Sequence, residues 1–137
     1  MPLDPARVAE ARGWLSRAAN DLRGADVDLA ARPPLTGDAA FHCQQAVEKA
    51  LKAFLAWHDV PFRKTHDLAE LGQQCVRVDA SLEPVCREAE LLTPFAWIFR
   101  YPGDLVEPPV EEIRGALALA RRLWDAILVR LPSGARP

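Results

Sequence analysis

The first thirty residues place apolar side chains at alternating steps of three and four. The apolar positions are Val8, Ala11, Leu15, Ala18, Leu22, Ala25 and Leu29. An α-helix turns once every 3.6 residues, so this spacing puts all of them on one face. The charged residues off that face include Arg7, Arg17, Asp21 and Asp28. The pattern predicts a long amphipathic helix, which Pro33 and Pro34 end.

A second helix is predicted from about Asp38 to Trp57, and most of its circumference is apolar. Its polar residues gather on one narrow stripe: His42, Gln45, Lys49 and Lys52, with Glu48 at the edge. Such a stripe is either a solvent-exposed strip or the wall of a site. Gln44 lies beside the apolar arc and needs a hydrogen-bond partner. Leu51 is expected to face other helices and Lys52 to be exposed.

The remainder of the chain predicts further helices and no strands. Asp67, with Glu70 three residues on, marks the start of a short helix. Another is expected after Asp79 or Ser81 and runs to about Leu92. The last helix opens after Pro108-Pro109, and its apolar positions are Val110, Ile113, Leu117, Ala120, Trp124, Ile127 and Leu131. The expected fold is one all-α domain over 1–137, an antiparallel up-and-down helical bundle of long first, second and last helices plus short connecting helices, with a loose tail over 132–137.

Composition narrows the function. The chain has 137 residues, 50% of them hydrophobic and 26% charged, and its net charge is −2. This balance argues against a protein that grips nucleic acid by bulk positive charge. No apolar run is long enough for a membrane span, and no signal peptide is recognised at the start. Cys43, Cys75 and Cys86 form no Cys-x-x-Cys pair, which indicates buried thiols in a reduced, cytoplasmic setting.

Three side chains outside the stripe are candidate ligand-binding groups. Arg100 follows an aromatic run and precedes Tyr101 and a Pro-Gly turn. It is therefore either a stacked or phosphate-facing cation, or a buried arginine that is tied to Glu or to carbonyls and holds the turn in place. His66 stands before Asp67, where a loop histidine that bonds backbone is the plainer interpretation. The histidine spacing fits no metal-binding motif, and no carboxylate is in register with it, so neither a metal nor another cofactor is expected.

These segments together resemble a known family. The residues that carry the resemblance are Trp14, Asp21-Leu22, the Phe41–Lys52 stretch FHCQQAVEKALK, Thr65-His66-Asp67-Leu68 and Arg100-Tyr101-Pro102. With the final long helix they resemble a stand-alone HEPN domain, over about Leu15 to Leu131. The resemblance implies a helical bundle that commonly dimerises and is often paired with a minimal nucleotidyltransferase, frequently as a toxin–antitoxin module. Many members of the wider superfamily are metal-independent ribonucleases.

The chain departs from the ribonuclease pattern at one point. Active members carry an arginine closely followed by a histidine, whereas His42, His58 and His66 all precede Arg100 here. Metal-free RNA cleavage needs a base, an acid and a cation for the phosphorane charge. Without the downstream histidine, the resemblance favours the non-catalytic, binding branch of the family.

Three hypotheses follow for the function. The first is a HEPN binding module that holds a nucleotide or nucleic-acid end and a nucleotidyltransferase partner. Its ligand-binding candidates are His42, Gln45, Lys49, His66, Arg100 and Tyr101. The second is a ribonuclease that uses the upstream histidines, and the third is a purely structural partner subunit. The aromatic surface of Trp97, Phe99 and Trp124 further predicts a two-fold homodimer.

Overall fold

The computed structural model of the chain describes residues 3–103 and 106–137. Within these ranges it contains five α-helices, three short 3-10 helices and no strand. The α-helices are α1 (Pro5–Ala30), α2 (Thr36–Trp57), α3 (Leu68–Val78), α4 (Glu83–Ala89) and α5 (Val110–Leu128). The predicted all-α bundle is confirmed. Residues 1–2 and 104–105 of the domain predicted over 1–137 lie outside the described ranges.

Helix α2 is the centre of the bundle, and almost all of its residues are buried. Its many alanines let α1 pack closely along it. The two helices run antiparallel, since Trp14 lies near Lys52 at one end while Asp28 lies near His42 at the other. The apolar face of α5 covers another side of α2 through residues such as Ile113 and Ile127.

The short connecting helices follow local chemistry. The Asp67 carboxylate accepts hydrogen bonds from the backbone of Ala69 (2.9 Å) and Glu70 (3.4 Å), which confirms the predicted start of α3. The next connection is not one helix. A 3-10 turn at Ala80–Leu82 precedes α4, and a second 3-10 stretch, Glu90–Ala96, contains Pro94. A proline has no backbone N–H to continue the α-helical ladder, so regular structure weakens there.

Two expectations are corrected by packing. The tail predicted to be loose from residue 132 forms a 3-10 turn at Ser133–Ala135, and Ala135 is fully buried. Lys52, expected to be exposed, is only 6% exposed, whereas its neighbour Leu51 is buried as predicted. Among the helices in the described ranges, none has the length and apolar character needed to cross a bilayer.

Candidate functional site

Two buried carboxylates organise the polar side chains of α2. Asp21 comes from α1, and Glu48 belongs to α2 itself. The first group, here called the Asp21 cluster, consists of Asp21, Asp28, Asp38, His42 and Lys49. The second, the Glu48 cluster, consists of Gln44, Gln45, Glu48, Lys52 and His66. Each carboxylate bonds one histidine and one lysine, so the two clusters share the same basic plan.

In the Asp21 cluster, both oxygens of the central carboxylate are engaged. Asp21 Oδ1 lies 2.8 Å from His42 Nδ1, and Oδ2 accepts a hydrogen bond from Lys49 Nζ at 2.7 Å. The hydrogen bond to Asp21 raises the pKa of His42, with help from the charges of Asp21, Asp38 and Asp28 and against the opposing effect of burial. The contact also sets the roles of the ring nitrogens: Nδ1 carries the proton toward Asp21, which leaves Nε2 pointing the other way.

The opposite edge of the His42 ring faces two more carboxylates. His42 Nε2 lies 3.8 Å from Asp28 Oδ2 and 3.6 Å from Asp38 Oδ2. Asp28 is only 8% exposed, and its Oδ2 has no hydrogen-bond partner among the described residues. Burial, together with the neighbouring Asp38 carboxyl, raises the pKa of Asp28 to about 6 against the opposing effect of His42. The premise that no carboxylate is in register with a histidine is therefore wrong.

A glycine on α1 makes this close approach feasible. A Cβ atom added at Gly24 would lie 3.0 Å from His42 Nε2 and 3.1 Å from two ring carbons, which is tighter than ordinary van der Waals contact. The missing side chain therefore lets the imidazole lie against α1, between Asp21 on one side and Asp28 on the other.

The Glu48 cluster is more completely hydrogen-bonded. Glu48 Oε1 lies 2.7 Å from His66 Nδ1, and Oε2 accepts a hydrogen bond from Lys52 Nζ at 3.0 Å. The amides of Gln44 (3.3 Å) and Gln45 (3.4 Å) also donate to Oε1. Gln44 further donates to the His66 carbonyl at 3.1 Å and accepts from Gln45 at 2.7 Å, which confirms that this buried amide finds partners.

Aromatic rings explain the burial of Lys52. Its ammonium lies 5.4 Å from the centroid of the Trp14 ring and 5.8 Å from that of Phe62. Periodicity along α2 alone does not reveal this cover, because the two rings come from α1 and from the loop before α3. With Gln45, Glu48 and Lys52 all buried, the stripe is not a simple solvent-exposed strip.

The Arg100 side chain lies against Phe41, the residue before His42 in the first half of α2. Its guanidinium carbon is 3.7 Å from the centroid of the Phe41 ring, and its Nη1 donates a hydrogen bond to the Ala96 carbonyl at 3.2 Å. Arg100 therefore combines features of the two interpretations open from the sequence, since it stacks on an aromatic ring and is also tied to a backbone carbonyl. Arg100 and Tyr101 are both exposed.

The backbone beside Arg100 is strained. Phe99 has a φ of 66°, in the left-handed region that bulky side chains rarely adopt. Its ring packs against Phe95 at a centroid distance of 6.0 Å. Further along, Glu107 Oε2 accepts from Gly37 N at 2.6 Å and from the Thr36 hydroxyl at 3.0 Å, so this carboxylate caps the first turn of α2. The Glu107 contacts join the chain that follows Arg100 to the start of α2.

The cysteines take no part in these groups. All three are free and buried. Burial raises the pKa of Cys43 to about 12 and that of Cys86 to about 11, and raises that of Cys75 further. These thiols therefore stay protonated at neutral pH and are poor nucleophiles.

The six predicted ligand-binding residues divide among three places. His42 and Lys49 meet at Asp21, Gln45 and His66 meet at Glu48, and Arg100 and Tyr101 lie on the adjoining loop. Sequence reasoning missed the organising role of the acids. One unused signal was present: Asp38 is four residues before His42, so the two share a helix face.

Comparison with known proteins gives one result. The model of the HEPN domain matches residues 11–130, which is nearly the whole chain. Searches of curated proteins and of solved structures find no match. The resemblance stated from the sequence motifs is thereby confirmed. The chain belongs to the HEPN family, and at the level of that family it is a nucleotide- or RNA-related module.

Proposed function

We propose that this HEPN protein is a non-catalytic binding module that contacts a nucleotide or an RNA end. The contact surface consists of Phe41, His42, Arg100 and Tyr101, here called the Arg100 surface. The observation that carries the proposal is the stacking of the Arg100 guanidinium on Phe41 at 3.7 Å. Stacking fixes the plane of the guanidinium, so less freedom is lost when it binds a phosphate.

The chemistry of the Arg100 surface suits a nucleotide. A guanidinium binds phosphate through two parallel hydrogen bonds, and an exposed aromatic ring such as Tyr101 offers a face on which a base can stack. The left-handed φ of Phe99 is a local cost that the fold tolerates directly before Arg100. Strain of this kind is concentrated at functional positions in proteins.

The lysines of α2 play a different part in this proposal. Lys49 and Lys52 are paired with buried carboxylates, so their positive charge is largely neutralised within the bundle. Lys49 and Gln45 hold Asp21 and Glu48 in place, and His66 is bonded to Glu48. Recognition of an anionic ligand then depends mainly on Arg100 rather than on a broad basic patch, which fits the net charge of −2.

The test is binding of a labelled short single-stranded RNA and of a nucleoside triphosphate, followed by fluorescence anisotropy or calorimetry in EDTA. Arg100→Ala should weaken binding about 10- to 150-fold, the equivalent of one charge-assisted hydrogen-bonded contact. Tyr101→Ala should weaken it further if a base stacks there. Arg114→Ala is the matched control, because Arg114 is exposed on α5 and forms a local ion pair with Glu111 at 2.9 Å.

The outcomes separate the hypotheses. Loss of binding in Arg100→Ala with normal binding in Arg114→Ala supports the proposal. Unchanged binding in both Arg100→Ala and Tyr101→Ala contradicts it and favours the purely structural subunit.

The ribonuclease hypothesis has one structural observation in its favour. Asp21 orients His42 and raises its pKa, as a carboxylate does for a histidine that acts as an acid or base in catalysis. His42 also follows Phe41, on which Arg100 stacks. We nevertheless expect no RNA cleavage in EDTA. Cleavage that disappears in both His42→Gln and Arg100→Ala would establish the enzyme in place of the binding module.

We also propose that the module acts as a homodimer beside a nucleotidyltransferase, in a toxin–antitoxin type pair. Support comes from exposed apolar side chains on one 3-10 segment and the residue after it, where Leu91 is 72% and Trp97 is 50% exposed. Such residues are enriched at protein interfaces. Sedimentation of the wild type and of Trp97→Ser at micromolar concentration tests the dimer, and a monomeric wild type would contradict it.

A further inference from the structure

The Asp21 cluster contains more negative than positive charge. The ammonium of Lys49 is bonded to Asp21. The carboxylates of Asp28 and Asp38 instead lie beside the imidazole of His42. Carboxylates gathered in this way repel each other unless a cation or a proton lies between them. Asp38 is 59% exposed in its side chain, so the group opens to solvent on one side.

The buried acid in this group is independently unusual. Asp28 is 8% exposed as a residue and 11% exposed in its side chain, and its Oδ2 has no hydrogen-bond partner among the described residues. A buried carboxylate oxygen without a partner is rare in folded proteins. This oxygen faces His42 Nε2, the ring nitrogen that Asp21 does not bond.

We propose that Asp28 Oδ2, Asp38 Oδ2 and His42 Nε2 together bind one divalent transition-metal ion. The three donor atoms lie within 4.8 Å of one another. Ligands at the usual metal distance of about 2.1 Å in tetrahedral geometry are separated by about 3.4 Å. His42 Nε2 lies 3.6 Å from Asp38 Oδ2 and 3.8 Å from Asp28 Oδ2, so only a small contraction is needed to reach this value.

The surroundings of His42 match those of metal-bound histidines. Such a histidine usually donates its other ring N–H to a carboxylate, which fixes the tautomer and raises the basicity of the ligating nitrogen. Asp21 occupies this position at 2.8 Å, and Lys49 in turn holds Asp21 at 2.7 Å. Asp21 is therefore a positioning residue, not a ligand.

The donor set selects a class of metal. One imidazole and two carboxylates suit Zn²⁺, Mn²⁺ or Fe²⁺, whereas Mg²⁺ and Ca²⁺ prefer oxygen ligands alone. Since Asp38 reaches solvent, the ion has a path of entry, and its remaining coordination positions face water or a bound ligand. The inference does not depend on the nucleotide proposal, whose binding test is made in EDTA.

The test is isothermal titration calorimetry of the tag-free protein with Zn²⁺, Mn²⁺ and Mg²⁺. The wild type should bind one Zn²⁺ or one Mn²⁺ per chain, with Mg²⁺ much weaker. Asp28→Asn and His42→Gln should each weaken binding by at least about 10-fold. Asp38→Asn alters an exposed position on the first turn of α2, so it tests the ligand set even if a buried variant folds poorly.

Two controls make the result specific. His66→Gln removes the histidine of the Glu48 cluster, which has the same carboxylate bond but no further acid, and should leave metal binding unchanged. Asp21→Asn should weaken binding about 10- to 100-fold and shift the visible absorption of bound Co²⁺, a change that a purely structural role would not produce.

Two results would overturn the proposal. One is the absence of Zn²⁺ and Mn²⁺ binding to the folded wild type at sub-millimolar concentration. The other is binding that survives in Asp28→Asn, Asp38→Asn and His42→Gln alike.

Discussion

The Asp21 and Glu48 clusters share one arrangement of carboxylate, histidine and lysine but differ in the groups that surround it. In each, a buried carboxylate lies 2.7–2.8 Å from a histidine Nδ1 and 2.7–3.0 Å from a lysine Nζ. Around Glu48, two glutamine amides complete the hydrogen bonding. Around Asp21, two more carboxylates approach the free edge of the histidine instead. A histidine–carboxylate pair is therefore not by itself a sign of a site, and the balance of charge around it is more informative.

The Glu48 cluster should matter most for stability. Glu48→Gln leaves the Lys52 ammonium buried without a counter-charge, so we expect a loss of about 3–5 kcal/mol in the free energy of unfolding, measured by urea denaturation. The double variant Glu48→Gln/Lys52→Met removes both charges and should recover a large part of this loss. A cost below about 1 kcal/mol for Glu48→Gln would show that Lys52 reaches water.

Metal should distinguish the clusters in the opposite sense. At a free Zn²⁺ concentration about one hundred times the dissociation constant, the free energy of unfolding of the wild type should rise by about 2.7 kcal/mol. The rise should persist in His66→Gln and disappear in His42→Gln, as followed by thermal or urea unfolding. Equal responses in the two histidine variants would remove the proposed difference between the clusters.

Without metal, the surplus acid should be a liability. In EDTA at pH 8, Asp28→Asn removes a buried negative charge whose Oδ2 has no hydrogen-bond partner among the described residues, so a gain of about 1 kcal/mol is expected. This sign is opposite to that for Glu48→Gln and is measured in the same urea experiment. A clear destabilisation by Asp28→Asn would mean that the carboxylate has a stabilising partner in solution.

His58 lies outside both clusters and provides the smallest expected effect. Burial against Phe54, at a ring distance of 4.5 Å, lowers its pKa, partly offset by the charge of Asp79. Unfolded histidine titrates near pH 6.5, so the stability linked to this shift is present above about pH 6.5 and is lost as the pH falls through the lower folded value. This dependence is opposite to the one that the raised pKa of His42 implies.

The measurement for His58 is a comparison of urea unfolding at pH 7.5 and pH 5.5. The loss of stability at the lower pH should be slightly smaller in His58→Gln than in the wild type. A larger loss in the variant would mean that folding raises the pKa of His58 instead of lowering it.

Most of the fold was predictable because it depends on periodicity and caps. The spacing of apolar residues from Val8 to Leu29 predicted the apolar face of α1, and Asp67 predicted the start of α3. Boundaries were less secure: Pro94 lies inside a 3-10 stretch rather than beyond a helix. The buried tail packs against α1, where a Cβ atom on Gly134 would lie 3.3 Å from Val8, and no local pattern reveals a contact between residues so far apart in sequence.

The candidate site was only partly predictable, for a related reason. The stripe on α2 identified His42, Gln45 and Lys49, because neighbours on one helix face follow from spacing. Asp21, which bonds His42 and Lys49, comes from α1. The spacing of apolar residues on α1 shows only that Asp21 and Asp28 lie off its apolar face. Whether this polar edge of α1 faces His42 depends on how α1 and α2 cross, and that crossing is a property of the packed bundle.

The central difference between the two clusters is most directly tested by anomalous diffraction. Crystals of the protein grown with Mn²⁺ or Co²⁺ would be measured near the absorption edge of the metal. One anomalous peak is expected between His42 Nε2 and the carboxylates of Asp28 and Asp38, with none beside Glu48. Crystals that contain the metal but give no peak there, or a peak at His66 instead, would contradict the metal site and the distinction drawn from it.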